Sequence, residues 1–214
     1  MSAAHGEQVR VLEEHGQQGT RSLNMWGMAF FVISEGLIFA NLIAAFLYLE
    51  IRDGGKWVLP NFELGGSQIP AWVFPAGINS IILFSSSYFV HMAGSGIRKG
   101  NQRQLVTGLA VTIVLGLIFL SGQVFEYVDF ISRGVTMGSS IQGSAFYTLT
   151  GFHGLHVTIG LIFLIILLVR SIRGDFTAQK HFGVEAGELY WHFVDGVWVF
   201  VYSVVYLLPL ILRA

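Results

Sequence analysis

The stretch Tyr190-Trp191-His192-Phe193-Val194-Asp195-Gly196-Val197-Trp198 sets an imidazole and a carboxylate inside a hydrophobic run that continues to Leu212. His192 and Asp195 stand three residues apart, so a helix presents both on one face. Gly151-Phe152-His153-Gly154-Leu155-His156 opens a second apolar run, and Glu35 lies within a third at Ile33-Ser34-Glu35-Gly36. Ionisable groups are costly in apolar surroundings and persist there when they are paired or functional. Three chemistries are open to such a set: proton exchange, metal or haem ligation, and hydrogen bonding between helices.

A lone carboxylate at the position of Glu35 is either a proton-exchanging or gating group, or an anchor that bonds to a neighbouring helix. His153 and His156 share a face, which invites a haem or metal reading. Two histidines at that spacing on one helix cannot supply both axial ligands of a haem. Glu35, His153, His156, His192 and Asp195 could gather around a metal, but a mutual hydrogen-bond network satisfies each group without an ion. No metal and no cofactor is therefore expected in this chain. A secondary cluster, Gln123, Glu126 and Tyr127, falls at the end of an apolar segment, where it should be solvated. Asp129 and Arg133 follow at four-residue spacing and can pair. The sequence holds no glycine-rich phosphate loop, nucleophile elbow or zinc-binding helix motif.

The elements that position these groups follow from composition. Apolar residues make up 53% of the chain and charged residues 12%, where a soluble domain carries about 25% charged; mean hydropathy is +0.64. This is the composition of an integral membrane protein. The absence of cysteine rules out disulfides and thiolate metal sites, and a net charge of -1 gives no argument for a nucleic-acid partner. Met1–Leu23 is polar, lacks an apolar core of its own and reads as a solvated tail and not as a cleaved signal peptide.

Residues 24–214 form the transmembrane domain. Five apolar segments, about 25–49, 71–91, 105–125, 146–169 and 190–212, are long enough to span a hydrocarbon core of roughly 30 Å. The fold expected is all-α, a polytopic bundle of five transmembrane helices. Asp53-Gly54-Gly55, Leu64-Gly65-Gly66-Ser67, Gly94-Ser95-Gly96, Gly138-Ser139-Ser140 and Arg173-Gly174-Asp175 punctuate the connections. Arg10, Arg21, Arg98, Lys99, Arg103, Arg170, Arg173 and Lys180 fall on one side, and only Arg52, Lys56, Arg133 and Arg213 on the other. That bias puts the N-terminus inside and the C-terminus outside. Trp57, Trp72, Tyr190 and Trp191 fall near span ends, as an aromatic belt would place them. Small residues at Gly36, Ala40 and Ala44, at Gly108 and Gly116, and at Gly151, Gly154 and Gly160 permit close helix approach or a partner-binding face.

Phe31-Val32-Ile33-Ser34-Glu35, Gln123-Val124-Phe125-Glu126-Tyr127, Gly143-Ser144-Ala145-Phe146-Tyr147 and the two histidine motifs occur in the order and spacing of subunit III of haem–copper oxidases. From Asn24 to Leu208 the chain resembles the short, five-helix bacterial form of that family. The resemblance implies an accessory, non-redox subunit of a terminal cytochrome c oxidase in an aerobic respiratory chain, without a catalytic centre of its own. Haem and copper would belong to partner subunits I and II. The implied roles are stabilising the catalytic subunit, supporting proton uptake and guiding dioxygen, with Glu35 matching the family's buried glutamate and His153, His156, His192 and Asp195 its polar interior positions. A histidine of the fourth span, His156 in first place, is the expected partner of Glu35. Membrane lipids and other respiratory complexes are the further partners implied, and the bacterial inner membrane the location. Ser34-Glu35 and Gly151-Phe152 favour the cytochrome c type over two alternatives in the family, a quinol oxidase subunit III and a nitric oxide reductase accessory protein. From a different class, an independent proton channel or transporter is the competing reading; the lack of internal repeats speaks against it.

Overall fold

In the computed structural model, the described residues are 2–213 apart from 55–56, 58, 65–66 and 71–72, with side chains described from residue 23 onward except at 62–68, 210 and 213. Ala71, Trp72, Lys56 and the turn glycines Gly55, Gly65 and Gly66 fall outside them. Met1–Leu37 and Ile38–Ala214 form two compact units. Helix α1 runs Ser2–Asp53, so the polar N-terminal segment is helical and leads directly into the first apolar segment. Past Asp53 the chain turns at Gly54 and forms a short antiparallel hairpin, β1 Phe62–Leu64 with β2 Ser67–Ile69, in the register Phe62↔Ile69.

Helices α2 Ala76–Arg98, α3 Gln102–Ser132, α4 Ile141–Ile172 and α5 Phe182–Tyr202 follow. A π-helical segment, Ser203–Leu207, continues α5 into the short α6, Leu208–Arg213. The expected all-α fold is therefore the observed one, with the hairpin as its small β exception. The first three of these helices end alike. Gly100, Gly134 and Gly174 adopt positive φ just past the helix, and the next amide returns to a carbonyl five residues back, as Asn101 N to Gly96 O at 2.8 Å and Val135 N to Phe130 O at 2.9 Å. Glycine adopts that conformation without strain and closes the helix end. Asn101 and Ser140 cap the starts of α3 and α4, accepting from Gln104 N at 3.1 Å and Gly143 N at 2.9 Å.

Leu23–Asp53 of α1, α3 and α4 are each long and apolar enough to cross a membrane. With 23 and 21 residues, α2 and α5 reach roughly 34 and 31 Å. α2 packs on α3, α3 on α4 and α4 on α5, and α5 returns to α2. Close approach depends on glycine at two crossings. A Cβ at Gly108 would stand 2.7 Å from Phe89 O, and one at Gly116 would stand 2.8 Å from Leu161 and Trp191. Ala40 and Ala44 of the first small-residue stripe are exposed instead.

Several element boundaries differ from the expectation. Gly94-Ser95-Gly96 was expected to punctuate a loop but lies inside α2, because both glycines are crowded by neighbours and the helix gains packing by continuing through them. The second helix starts at Ala76, behind Pro75, whose missing N–H suits a helix start. The fifth starts at Phe182 and not at Tyr190, so Tyr190 and Trp191 are buried mid-helix and do not form an interfacial belt.

Candidate functional site

The polar side chains of α2 and α5 meet one another along a single seam. Trp198 Nε1 donates to Ser80 Oγ at 2.8 Å, and Trp191 Nε1 donates to Ser86 Oγ at 2.8 Å. Ser87 Oγ donates to Asp195 Oδ2 and lies 3.1 Å from His192 Nδ1. Since the Ser87 proton goes to Asp195, the His192 ring donates to Ser87, and the three form an ordered relay across the helices. Further along, His91 Nδ1 meets Glu188 Oε1 at 2.8 Å, and Arg98 Nη1 meets Glu188 Oε2 at 3.3 Å. Partner numbers rise on α2 as they fall on α5, so the helices run antiparallel in one register. On α5 the residues used are 188, 191, 192, 195 and 198, whose three- and four-residue spacings keep one stripe facing a neighbour.

His153 has a different environment. It is 1% exposed and stacks on Trp198 with centroids 4.8 Å apart, while Phe119 at 6.0 Å and Phe39 at 6.3 Å present edges to it. Neither ring nitrogen has a hydrogen-bond partner among the described residues. His156 bonds through Nδ1 to Phe152 O of its own helix at 2.8 Å and packs on Phe39 at 4.9 Å; Tyr190 OH donates to the His156 carbonyl at 3.3 Å. Of the five residues singled out in the sequence, the structure brings together His192 and Asp195 through Ser87, and it joins His153 to the same helix α5 through a ring stack. Glu35 is half-buried on α1, within the first unit.

Glu126 sits six residues before the end of α3 and is fully buried, not at a solvated end as expected, because the helix continues to Ser132. Gln123 Nε2 donates to Glu126 Oε2 at 3.1 Å and Tyr206 OH to Glu126 Oε1 at 3.0 Å. Tyr206 comes from the π-helical segment, whose wider turn re-aims the side chains that follow it; its ring stacks on Tyr202 at 5.4 Å. Tyr127 pairs instead with Thr150 of α4 at 2.6 Å. The Asp129–Arg133 pair forms at 2.9 Å, and Arg133 also donates to Asn61 O of the connection before the hairpin, at 2.7 Å.

Sequence reasoning missed Ser80, Ser86, Ser87, His91, Glu188 and Tyr206. The only signal available for this group was Glu188, one helical turn before His192; serines and a single histidine carry no pattern until a partner helix is docked against them.

With this geometry in view, similarity to known proteins is decisive. A family model for cytochrome c oxidase subunit III matches residues 7–209. The chain belongs to the cytochrome c oxidase subunit III family. It is 42% identical over 197 residues to cytochrome c oxidase subunit 3 of Synechocystis sp., covering 92% of this chain and 80% of that one. To the Thermostichus vulcanus subunit it is 35% identical over 206 residues, covering 96% of both. To that of Osphranter robustus it is 37% identical over 196 residues, covering 89% of this chain and 70% of the relative. The chain is thus a multi-pass membrane protein and an accessory subunit of an oxidase complex.

Proposed function

We propose that this subunit serves a terminal cytochrome c oxidase of an aerobic respiratory chain in the bacterial inner membrane, with its N-terminus inside and its C-terminus outside. It stabilises the catalytic subunit and supports proton uptake and dioxygen access, while haem and copper reside in partner subunits I and II. The observation that carries this reading is the commitment of the polar side chains of α2 and α5 to one another. Trp198, Trp191, Asp195, His192 and Glu188 each bond to α2, which is what a scaffold needs to keep its helices in register. Glu35, half-buried on an apolar helix, is the residue for which a part in proton uptake is proposed.

Gentle solubilisation tests the assignment. The expected result is co-purification with haem-absorbing subunits that oxidise cytochrome c. A protein that runs alone, without haem absorbance, overturns it and leaves the channel or transporter reading. Turnover of a Glu35→Gln variant tests the proton-uptake role. Faster loss of activity during turnover supports it, and unchanged activity with unchanged inactivation reduces Glu35 to packing. A double-mutant cycle on Glu35 and His156 measures the coupling expected between them.

A further inference from the structure

The geometry points to a divalent transition-metal site, of the kind that takes Zn²⁺, formed by His91 of α2 with Glu188 and His192 of α5. One donor atom from each of the three lies within 4.8 Å of the other two. A cation at their centre could therefore meet all three after small side-chain rotations, since Zn–N and Zn–O bonds are about 2.0–2.2 Å. The donor set is two imidazoles and a carboxylate, which suits zinc and its neighbours. Magnesium and calcium instead require a cage of oxygens. Three protein ligands leave one tetrahedral position for water. Glu188 and His192 stand one helical turn apart on α5, so a bound ion would bridge that turn to α2 and pin the polar seam.

The surroundings resemble those of a prepared ligand set. Glu188 is held from both sides, by His91 on Oε1 and by Arg98 on Oε2, so its second oxygen has an outer partner that fixes its orientation. Gly94 makes the space: a Cβ there would overlap the Glu188 carboxylate. Ser87 orients the His192 ring from behind. The His91 side chain is 63% exposed, which gives an ion an entry path. Binding would replace the His91–Glu188 hydrogen bond with two coordinate bonds and release any proton the ligands carry in its place.

The test is titration of the full-length protein, extracted with whatever subunits accompany it and treated with EDTA, by isothermal calorimetry with ZnCl₂. The binding expected is one Zn²⁺ per chain beyond any sites on companion subunits, undisturbed by a hundredfold excess of Mg²⁺. His91→Ala and Glu188→Gln should remove that increment or weaken it at least tenfold, and Gly94→Ala should weaken it by displacing the carboxylate. Co²⁺ substitution should give visible absorption bands of a nitrogen- and oxygen-ligated ion in the wild type and lose them in His91→Ala. His192→Ala alters the motif inside the seam and could abolish extraction of intact protein. His91→Ala, at an exposed position, and Glu188→Gln, which keeps the side-chain shape while removing the charge, then decide the matter. Isotherms for both variants that superimpose on the wild type, at equal yield and helicity, overturn the site whatever the identity of the companion subunits.

Discussion

The two histidine motifs look alike in sequence, and the structure uses them in opposite ways. His192 stands at an exposed position on the seam and works through hydrogen bonding, with Ser87 and Asp195 as its relay. His153 is enclosed by Trp198, Phe119 and Phe39 and works as an aromatic ring. Trp198 belongs to both regions, since its face stacks on His153 and its Nε1 bonds to Ser80. Polarity therefore does not decide how a residue contributes inside this bundle. What decides it is whether the opposing helix offers small hydroxyl side chains, as α2 does, or rings, as α3 and α1 do. The serine-lined seam fixes register through directed bonds, whereas the ring cluster fills volume.

The contrast can be broken most forcefully at the shared residue. Trp198→Ala removes the ring stack and the Ser80 bond together, and large-to-small changes of buried aromatics cost about 3–5 kcal/mol. It should lower the temperature at which the subunit aggregates or dissociates in detergent more than any other single change named here, and Trp198→Phe should recover most of the loss. Glu126→Ala comes next. It leaves the Tyr206 hydroxyl and the Gln123 amide buried without their acceptor, at about 1–3 kcal/mol; Glu126→Gln should cost less, and thermal denaturation followed by helicity separates them. Ser87→Ala breaks the relay at its centre and should destabilise by about 1 kcal/mol, within the range for one lost hydrogen bond. If the relay is ordered as described, Asp195→Asn made on that background should add little, since the partner is already gone. The smallest effect is expected for Ser80→Ala, about 0.6 kcal/mol, the mean for one interhelical bond in a membrane protein. An effect there as large as that of Trp198→Ala would mean that the hydrogen bond, not the ring stack, holds this crossing, and the distinction drawn between the two regions would fail.

Much of the architecture was legible from elementary patterning. Hydrophobic runs long enough for a bilayer located the helices, and Gly174, after the basic end of α4, marked its stop. Asp129 and Arg133, one turn apart, pair as their spacing requires. The polar seam was visible only in half. His192 and Asp195 stood out because charge is rare in an apolar run, while Ser80, Ser86 and Ser87 did not, because serine is tolerated anywhere on a helix. Glu126 was misplaced because hydropathy falls near the end of its segment, whereas the helix continues for another turn and a half and buries it. Tyr206 could not be paired with it by inspection: the residues lie 80 apart, and the π-helical turn that aims the tyrosine has no sequence signature of its own.

The sequence alone determined the class of the protein, the number of long helices, the motifs that mark the family, and which positions carry unusual polarity. Those properties depend on local composition and on periodicities of a few residues, which each segment carries independently of its neighbours. Only the tertiary structure decided partnership: that Ser87 joins His192 to Asp195, that rings surround His153, that Tyr206 reaches Glu126, and that His91 and Glu188 come within range of His192. Each of these rests on the docking register of two helices distant in sequence. A shift of one residue turns a helical side chain by about 100°, so the same sequence in another register would keep its spans and lose every one of these pairings.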